Sequence, residues 1–551
     1  MTRRVAVAAG LALVLLAPAR RTEAQAHGFT HADTLRGANS PERAWWDVTF
    51  YDLHLRVTPE DSSVRGWNRI TYRVAAVPRE MQIDLQEPLV ADSIVQGGKS
   101  LAVRRDGNAL FVTPELLQAQ GSEQSITAWF HGRPRVARNA PWDGGIVWTR
   151  DSTGAPWLAS AVQGLGASAF WPNKDTQADE PDSQRVAITV PSAMTDVSNG
   201  RLRSTTRHDD GTTTYEWFVA SPINNYDVAI NAGSYAHFSD VYAGEAGPLT
   251  LDFWPLQYHE TAARRQFAQV TPMLACFEHW FGPYPWYADG YKLVETPHPG
   301  MEHQSAVAYG NHYRNGYLGR DLSGTGEGLT WDYIIVHESA HEWWGNSITT
   351  ADIADMWVHE AFAMYAENLF VECRSGRRAA DAYVAGVRRA VRNDAPIIGA
   401  YGVQNEGSGD MYYKGANMLH TIRQIVHDDE RWRALLRGLQ TTFRHRVVTG
   451  REVQAYMSAA AGTNLDRVFA QYLTTTRIPV LEYDVAGRTL RYRWTNVVSG
   501  FDMPVRVLLG AAGERVLRPT LAWQADTLSA DAASLDVDGN FYVSSRRVAS
   551  P

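Results

Sequence analysis

The pattern of apolar and polar positions changes twice along the chain. Residues 51–57 and 69–74 alternate between apolar and polar side chains, and turn-forming groups such as Asp106-Gly107-Asn108 separate runs of this kind. Successive side chains of a strand point to opposite faces of a sheet, so this alternation is typical of strands with one buried face. With frequent turns, it predicts antiparallel sheets from about residue 45 to 236.

From about residue 237 the pattern becomes largely that of amphipathic helices. Apolar side chains recur at steps of three and four residues in 418–426 and in 465–473. This spacing places them on one face of a helix, which packs against a core. After Pro479 the alternation returns, and two alternating runs flank Gly487 as they would in a hairpin. The last 70 or so residues are therefore predicted to form a small β-sandwich.

The first 26 residues differ from the rest of the chain. Arg3 and Arg4 precede an apolar run over 5–17, and small residues stand at 24 and 26. This order is typical of a secretory signal peptide with its cleavage site. The apolar run is too short to span a bilayer. We therefore expect a periplasmic or secreted protein with no stable membrane insertion after the signal is cleaved.

Composition narrows the class of protein. Hydrophobic residues make up 44% and charged residues 20% of the 551 positions, which is ordinary for a globular protein and excludes a disordered or fibrous chain. The net charge of -8 argues against nucleic acid as the main partner. Cys276 and Cys373 are the only cysteines, so a multi-cysteine zinc module is excluded. The sequence alone does not decide whether these two cysteines pair.

The chemistry is concentrated in residues 332–370. His337, Glu338 and His341 form an H-E-x-x-H motif. Residues four apart on a helix share one face, so both imidazoles can bind one metal ion, and Glu338 can reach a water at the metal without being a ligand. Glu360 follows His341 by 19 residues and is the candidate third ligand. Two imidazoles and a carboxylate suit a single zinc ion with one open position.

The flanking residues argue against an ordinary surface helix. Apolar residues at 334–336 and at 343–344 surround the motif and predict that the helix is buried. Its two histidines, together with Glu338 and Glu342, have no basic partner nearby in the sequence. In a protein core such a group is costly unless a metal ion balances it. The pattern therefore favours a metal site over two solvated histidines.

The segment resembles the gluzincin metallopeptidases of the aminopeptidase N and leukotriene hydrolase family. Their pattern is H-E-x-x-H followed after eighteen residues by Glu, and residues 341–346 and 281–285 resemble further family stretches. The resemblance implies a multidomain α+β fold. Its parts would be an N-terminal antiparallel β-saddle over 27–236, a thermolysin-like, mostly helical catalytic domain over 237–477 and a C-terminal β-sandwich over 478–551.

The family's second signature, G-x-M-E-N, has a partial match here in the segment Pro299-Gly300-Met301-Glu302-His303. The resemblance implies that Glu302 binds the free amine of the substrate and that Met301 lies in the substrate site. A carboxylate in a partly dry cleft pairs with an ammonium, whereas an internal amide leaves it unpaired. His303 stands where the family has Asn, which puts the hydrogen bonding of this segment in question.

Two further residues follow from the resemblance, and a third follows from its spacing on the helix. Residues 411–415 are similar to the family's Y-x-K-G, which implies that Tyr412, rather than its neighbour Tyr413, stabilises the tetrahedral intermediate. Gln163 occupies a place similar to that of a substrate-binding Gln in the N-terminal domain, although an ordinary strand Gln fits as well. Glu367 comes two helical turns after the third predicted ligand. It could hold a ligand imidazole by its second nitrogen or be solvated on the helix surface.

Together these features predict a zinc-dependent aminopeptidase that uses metal-activated water, with Glu338 as general base and Tyr412 as oxyanion donor. Its partners would be peptides with a free N-terminus. Two alternatives stay open, a zinc endopeptidase of thermolysin type and a secreted β-rich binding protein with a degenerate peptidase domain. Glu302 and the N-terminal β domain favour the exopeptidase, and the intact metal motif argues against the degenerate domain.

Overall fold

The structure is a computed structural model that describes residues 28–549. The predicted signal peptide at 1–26 lies outside the described residues. Among the helices of 28–549, none is both long enough and apolar enough to span a bilayer. Two short helices open the described part of the chain, at His31–Gly37 and Pro41–Ala44.

An eight-stranded sheet dominates the N-terminal region. The predicted alternation is present, since Leu53 and Leu55 are buried while His54 between them is partly exposed. The sheet is antiparallel except where Trp46–Thr58 runs parallel to Ser183–Pro191. In spatial order its strands are Arg201–Arg207, Thr212–Val219, Ser183–Pro191, Trp46–Thr58, Ser63–Val74, Glu123–Gly132, Val90–Gln96 and Lys99–Ser100.

Two smaller sheets complete this region and share its apolar core. One has, in spatial order, the strands Thr195–Val197, Asn231–Gly233, Pro156–Ala161 and Gly145–Arg150. The other has Met81–Asp84, Ala109–Val112 and Val103–Asp106. The strand Pro156–Ala161 of the first sheet pairs with Asn231–Gly233 and ends two residues before Gln163. This sheet therefore positions the N-terminal side of the candidate site.

The region after residue 237 begins with strands rather than with the helices that its overall pattern predicts. A five-stranded sheet comprises, in spatial order, Phe238–Gly244, Gly247–Trp254, Tyr291–Glu295, Val307–Tyr309 and Gly300–Met301. The last two strands are too short for an alternation to be visible in the sequence. Gly300–Met301 is the edge strand, and Met301 pairs with Ala308.

Helices make up most of the remaining catalytic region. Trp357–Ser375 lies at its centre and is buried on all sides from residue 357 to 371. A disulfide between Cys276 and Cys373 joins this helix to Val270–Phe281. The other helices are Glu260–Gln266, Tyr333–Ala340, Arg377–Gly386, Tyr413–Val426, Asp429–Phe443, Gly450–Ala461 and Asp466–Thr474. The short strands Ile348–Thr350 and Arg446–Val448 pair in parallel.

The C-terminal region contains two sheets, as the predicted β-sandwich requires. The first is Gln524–Thr527, Thr489–Thr495, Val480–Ala486 and Ser544–Arg547, and the second is Glu514–Leu517, Val505–Leu508 and Asp536–Val537. Gly487 has φ +57° and turns the chain between the two hairpin strands. A positive φ suits glycine, which has no Cβ to clash. The exact domain boundaries at 236 and 477 stay predictions.

Candidate metal centre and active site

The three predicted metal ligands converge in the interior. Nε2 of His337 lies 3.6 Å, and Nε2 of His341 3.4 Å, from Oε2 of Glu360. One ligand atom from each residue lies within 4.8 Å of the other two, and all three side chains are buried. The two helices of the motif, Tyr333–Ala340 and Trp357–Ser375, pack side by side and bring the three donors to one point.

Local chemistry explains why the first helix starts and stops where it does. The Asp332 side chain accepts hydrogen bonds from the backbone N–H groups of Ile334 and Ile335, which caps the N-terminus. The chain leaves the helical conformation at Trp344 and Gly345, where φ reaches +124°. A Cβ at residue 345 would lie 3.3 Å from Nδ1 of His341, so glycine makes the turn beside the ligand possible.

The second nitrogen of each imidazole is held by a hydrogen bond. Nδ1 of His337 lies 2.7 Å from Oε1 of Glu367, and Nδ1 of His341 lies 2.9 Å from the carbonyl of Trp344. Metal-binding histidines ordinarily donate their other N–H in this way, which fixes the ring and the tautomer. The sequence left open whether Glu367 holds a ligand imidazole or is solvated on the helix surface. In the structure its carboxylate lies against the imidazole of His337.

The donor set fits zinc. Oε2 of Glu360 is buried and has no hydrogen-bond partner within residues 28–549, although it faces two imidazole nitrogens. Burial would raise the pKa of this carboxyl, but the charges of His341 and His337 lower it below its usual range. The ionised oxygen and two Nε2 atoms are the donors that a tetrahedral zinc site with one open position needs.

Glu338 lies beside the three ligands without being one of them. Its carboxylate packs on Gly300, where an added Cβ would lie 2.6 Å from Oε1. Burial raises the pKa of Glu338 to about 7, although the charge of His337 opposes this. A carboxyl with a pKa near neutrality can both accept and return a proton at physiological pH.

Glu302 directly follows the edge strand Gly300–Met301 and lines the same cavity. Its backbone carbonyl accepts a hydrogen bond of 2.7 Å from Nδ2 of Asn346. Oε1 of Glu302 is buried and has no partner in the described part of the chain, and burial raises the pKa of this carboxyl. Asn346 thus holds the segment although His303 replaces the family Asn; both ring nitrogens of His303 are buried and unpartnered within 28–549.

All predicted site residues line one cavity of about 430 Å³. The set comprises the metal ligands His337, His341 and Glu360, the candidate catalytic residues Glu338 and Tyr412, and the candidate substrate residues Glu302, Met301 and Gln163. Gln163 reaches it from the N-terminal region, where its Nε2 donates to Sδ of Met356 at 3.8 Å. Their individual roles stay predictions, but their convergence is a property of the fold.

Several residues that line this cavity were not predicted from the sequence. They are Pro141, Trp142, Tyr317, Leu322, Tyr333 and Glu406. Most of them lie in loops far from the motif in the sequence, and no spacing rule connects them with it. Tyr333 is the exception, because it lies one helical turn before His337, with its hydroxyl 3.4 Å from Nδ1 of that histidine.

Tyr412 lies immediately before the helix Tyr413–Val426. Its ring centroid is 6.1 Å from that of His337. Burial and the charge of Glu360 raise the pKa of Tyr412, so its hydroxyl keeps its proton and can donate a hydrogen bond. Tyr413 also lines the cavity, and burial, followed by the charge of Glu367, raises its pKa.

The other buried histidines do not join the metal centre. Nε2 of His359 accepts a hydrogen bond of 3.0 Å from the backbone N–H of Thr350, so this histidine has a structural role. His298 and His303 are buried beside the Glu302 segment, and burial lowers the pKa of His298 to about 4 and that of His303 to about 3. Both are therefore neutral.

Comparison with known proteins shows what the catalytic region is similar to. Residues 266–472 match the Peptidase family M1 domain. Leucine aminopeptidase 2 of Vanderwaltozyma polyspora is 23% identical over 69% of this chain and 53% of its own length. Human aminopeptidase B is 24% identical over 55% of this chain and 46% of its own length. The chain thus spans about half of the length of these curated relatives.

The solved structures agree at the level of the fold. The M1 zinc metallopeptidase from Deinococcus radiodurans superposes with a TM-score of 0.65 at 20% identity, covering 79% of this chain and 94% of that one. The predicted multidomain α+β architecture is confirmed. The match over residues 266–472, the ligand spacing and the convergent donors support an aminopeptidase N-like gluzincin whose cofactor is zinc.

Proposed function

We propose that the protein is a zinc-dependent aminopeptidase that hydrolyses the first peptide bond of peptides with a free N-terminus. One observation carries the proposal: the buried carboxylate of Glu302 lines the same cavity as the metal centre and has an oxygen without a partner in residues 28–549. An unpaired buried carboxylate is costly and favours a cationic partner. The α-ammonium of a peptide is such a partner, and it would place the first peptide bond at the metal.

The same geometry disfavours internal cleavage. An endopeptidase must accept an uncharged amide where Glu302 lies, and that amide would leave the carboxylate desolvated and unpaired. Asn346 holds the backbone of this residue, so the carboxylate cannot simply turn away with its segment. The thermolysin-type alternative is therefore less well supported than the exopeptidase.

The residues around the metal centre suit peptide hydrolysis. Zinc, when bound by His337, His341 and Glu360, lowers the pKa of water and polarises a carbonyl group. Glu338 accepts the proton of the attacking water and later returns it to the leaving amine. The Tyr412 hydroxyl donates a hydrogen bond to the oxygen on which negative charge develops. Glu302, with help from Gln163, holds the N-terminus so that one residue is released.

Two findings on relatives support the proposal. The curated relatives of this chain are named leucine aminopeptidase 2 and aminopeptidase B. A variant of the Deinococcus radiodurans enzyme was solved with a Tyr-Ser-Ala substrate, a peptide short enough for a cavity of about 430 Å³. The partners proposed here are accordingly peptides rather than nucleic acid, in keeping with the net charge of -8.

The test compares free and blocked substrates. The zinc-loaded protein should release coumarin from aminoacyl-coumarins, lose this activity with a chelator, and leave the N-acetylated compounds intact. Glu302→Ala should reduce cleavage of the free-amine substrates by about 10²-fold or more, as removal of a buried ionic contact does. Cleavage of internal bonds in N-blocked peptides at a comparable rate would instead favour the endopeptidase.

We also propose that the protein is exported to the periplasm or the medium. The predicted signal peptide at 1–26 supports this, and so does the Cys276–Cys373 disulfide, because such bonds persist mainly in oxidising compartments. N-terminal sequencing of the protein from fractionated cells should find a chain that starts at about residue 27 outside the cytoplasm. An intact N-terminus in the cytoplasmic fraction would contradict export.

A further inference from the structure

The outward face of the eight-stranded sheet carries a second cavity, which the proposed mechanism does not use. It has a volume of about 450 Å³, and its described lining shares no residue with that of the metal cavity. Three neighbouring strands form its floor, Trp46–Thr58, Ser63–Val74 and Glu123–Gly132. The other face of these strands packs on the N-terminal core. Side chains alternate between the two faces of a strand, so His54 and Trp67 point away from that core.

Three aromatic rings cross these strands in one row. His54 lies opposite Trp67, and Trp67 lies opposite Trp129. The rings of His54 and Trp67 stack with centroids 4.1 Å and planes 13° apart, and the centroids of Trp67 and Trp129 are 5.8 Å apart. Trp129 is 44% exposed. A contiguous aromatic surface of this kind is unusual on the solvated face of a sheet and is typical of a binding site.

Arginine side chains border this row on both sides. Arg65 and Arg69 lie two residues before and after Trp67, on the same face of the same strand. Both are exposed. Neither side chain forms an ion pair or a hydrogen bond with another residue of 28–549. The aromatic row is therefore flanked by positive charge that no described residue of the protein compensates.

The same face also offers a hydrogen-bond acceptor. Asp92 lines the cavity, and its Oδ1 lies 2.7 Å from Nδ1 of His131, whereas its Oδ2 has no partner in the described part of the chain. Asp52, which lies opposite Arg69, is already paired with Arg185. A ligand that satisfies this cavity needs an apolar face for the rings, an anionic group for the free arginines and a hydrogen-bond donor for the free carboxylate oxygen.

We propose that this face binds an acidic polysaccharide, one whose sugar rings carry carboxylates. The C–H face of a sugar ring packs on the two tryptophans, and its hydroxyl groups donate hydrogen bonds to Asp92. Its carboxylate pairs with Arg65 or Arg69 through two N–H groups at once. Binding there leaves the metal cavity free. The inference does not depend on the proposed peptidase activity, because it concerns a separate site.

Other anionic partners fit this cavity less well. The phosphates of a nucleic acid would be repelled by Asp92, and the net charge of -8 opposes such a partner as well. Insertion into a membrane surface needs apolar side chains that protrude, whereas Trp67 is partly buried among its neighbours in the sheet. A saccharide combines flat apolar faces with hydroxyl donors, which the mixture of rings, arginines and a carboxylate requires.

The test compares an oligogalacturonate with its fully methyl-esterified form, because the ester keeps the sugar chain and removes its charge. Binding to the zinc-loaded full chain is measured by tryptophan fluorescence and by calorimetry. Kd should be at least about tenfold lower for the acid form, as charge-assisted contacts require. Trp129→Ala should raise Kd for the acid form by about tenfold or more, because it removes a stacking surface. The double variant Arg65→Gln/Arg69→Gln should bind the acid and the ester equally.

Two variants outside the cavity are the matched controls. Arg207→Gln removes an exposed arginine of the edge strand of the same sheet, and Leu117→Ala removes an apolar side chain that is 86% exposed. Both should keep the native Kd for the acid form. Zinc content should be native in all four variants, since none of the altered residues lines the metal cavity. A native protein without peptidase activity would refute the proposed function and leave this comparison intact, because binding is measured without turnover.

Equal affinity of the native protein for acid and ester, or no saturable binding of the acid, would overturn the proposal. So would native affinity in both Trp129→Ala and the double arginine variant, because binding would then occur elsewhere. Oligothymidylate and vesicles of phosphatidylcholine and phosphatidylglycerol are measured alongside. Tighter binding of either, lost in the same variants, would assign the face to a nucleic acid or a membrane and contradict the polysaccharide. If Trp129→Ala does not fold, as judged by its Tm, the double arginine variant and the native comparison decide.

Discussion

The carboxylate of Glu367 accepts a hydrogen bond from Nδ1 of His337 at 2.7 Å, on the side of the ring that faces away from the metal centre. Its other oxygen accepts a hydrogen bond of 2.7 Å from the hydroxyl of Tyr383. Both oxygens are therefore occupied, and the imidazole is fixed with Nε2 toward Glu360. The central buried helix supplies both the third ligand and the residue that orients the first.

Glu367→Gln should weaken zinc binding by about 10- to 100-fold, because the amide orients the imidazole less firmly and makes it less basic. Competition with a chromogenic chelator measures this directly. Glu430→Gln, on an exposed helix turn, is the control and should bind zinc as tightly as the native chain. Native affinity in Glu367→Gln would mean that the hydrogen bond does not tune the metal site.

Glu338→Gln should retain zinc and lose peptide hydrolysis by about 10² to 10⁴-fold, the usual contribution of a general base. The amide keeps the shape of the side chain but cannot accept the proton of the water. Elemental analysis and kcat on an aminoacyl-coumarin separate the two effects. A variant that binds zinc and keeps substantial activity would remove Glu338 from the mechanism.

Gly300→Ala should disturb the same carboxylate indirectly. The new Cβ would lie 2.6 Å from Oε1 of Glu338 and 2.9 Å from Cγ2 of Ile334, so both side chains must move. We expect kcat to fall by about ten- to a hundredfold with zinc retained, since small displacements of catalytic groups are costly. Gly539→Ala has open space around its Cβ and serves as the control. Equal kinetics for the two variants would show that the contact does not position Glu338.

Tyr412→Phe should lower kcat by about 10²- to 10³-fold, as the loss of one oxyanion donor does. Tyr413→Phe should cost far less, because the charge of the ligand Glu360 acts on Tyr412, whereas the charge that acts on Tyr413 is that of Glu367, which does not line the cavity. Comparing kcat for the two single variants assigns the role. A larger loss of kcat in Tyr413→Phe than in Tyr412→Phe would assign the oxyanion hydrogen bond to Tyr413.

Removal of zinc should destabilise the protein. Glu302, Glu338 and Glu360 are buried together, and without the ion their charges repel. At a zinc concentration about 100 times Kd, binding contributes about 2.7 kcal/mol, which corresponds to a Tm change of several degrees. Calorimetry with a chelator, and after zinc is restored, measures the shift. The double variant His337→Ala/His341→Ala should show no change in Tm with the chelator. If the Tm of the native protein does not change with the chelator either, the ion does not contribute to stability.

The metal centre could be predicted from the sequence because its signals are local. The four-residue spacing of His337 and His341 fixes their common helix face, and the break near Gly345 allows the helix that bears Glu360 to pack beside them. The wall of the cavity could not be predicted in this way. Glu406 and Tyr317 reach it through loops, whose paths depend on contacts such as the one between Gln404 and Gly164.

The five-stranded sheet before the helices also could not be predicted from the sequence pattern. Strands of two or three residues, such as Gly300–Met301, have no readable alternation, and their pairing with distant strands defines them. The hydrogen bond from Asn346 to the carbonyl of Glu302 joins two family motifs that are far apart in the sequence. It holds the Glu302 segment in a chain that has His303 where the family has Asn.

The most direct test of the account is a titration of the metal-free protein with zinc, followed by the rate of hydrolysis of the best substrate in a panel of aminoacyl-coumarins. The account predicts no hydrolysis at zero zinc and a linear rise to a plateau at one zinc ion per chain, set by His337, His341 and Glu360. Full activity of the metal-free protein, or a rise that continues to two ions per chain, would contradict it.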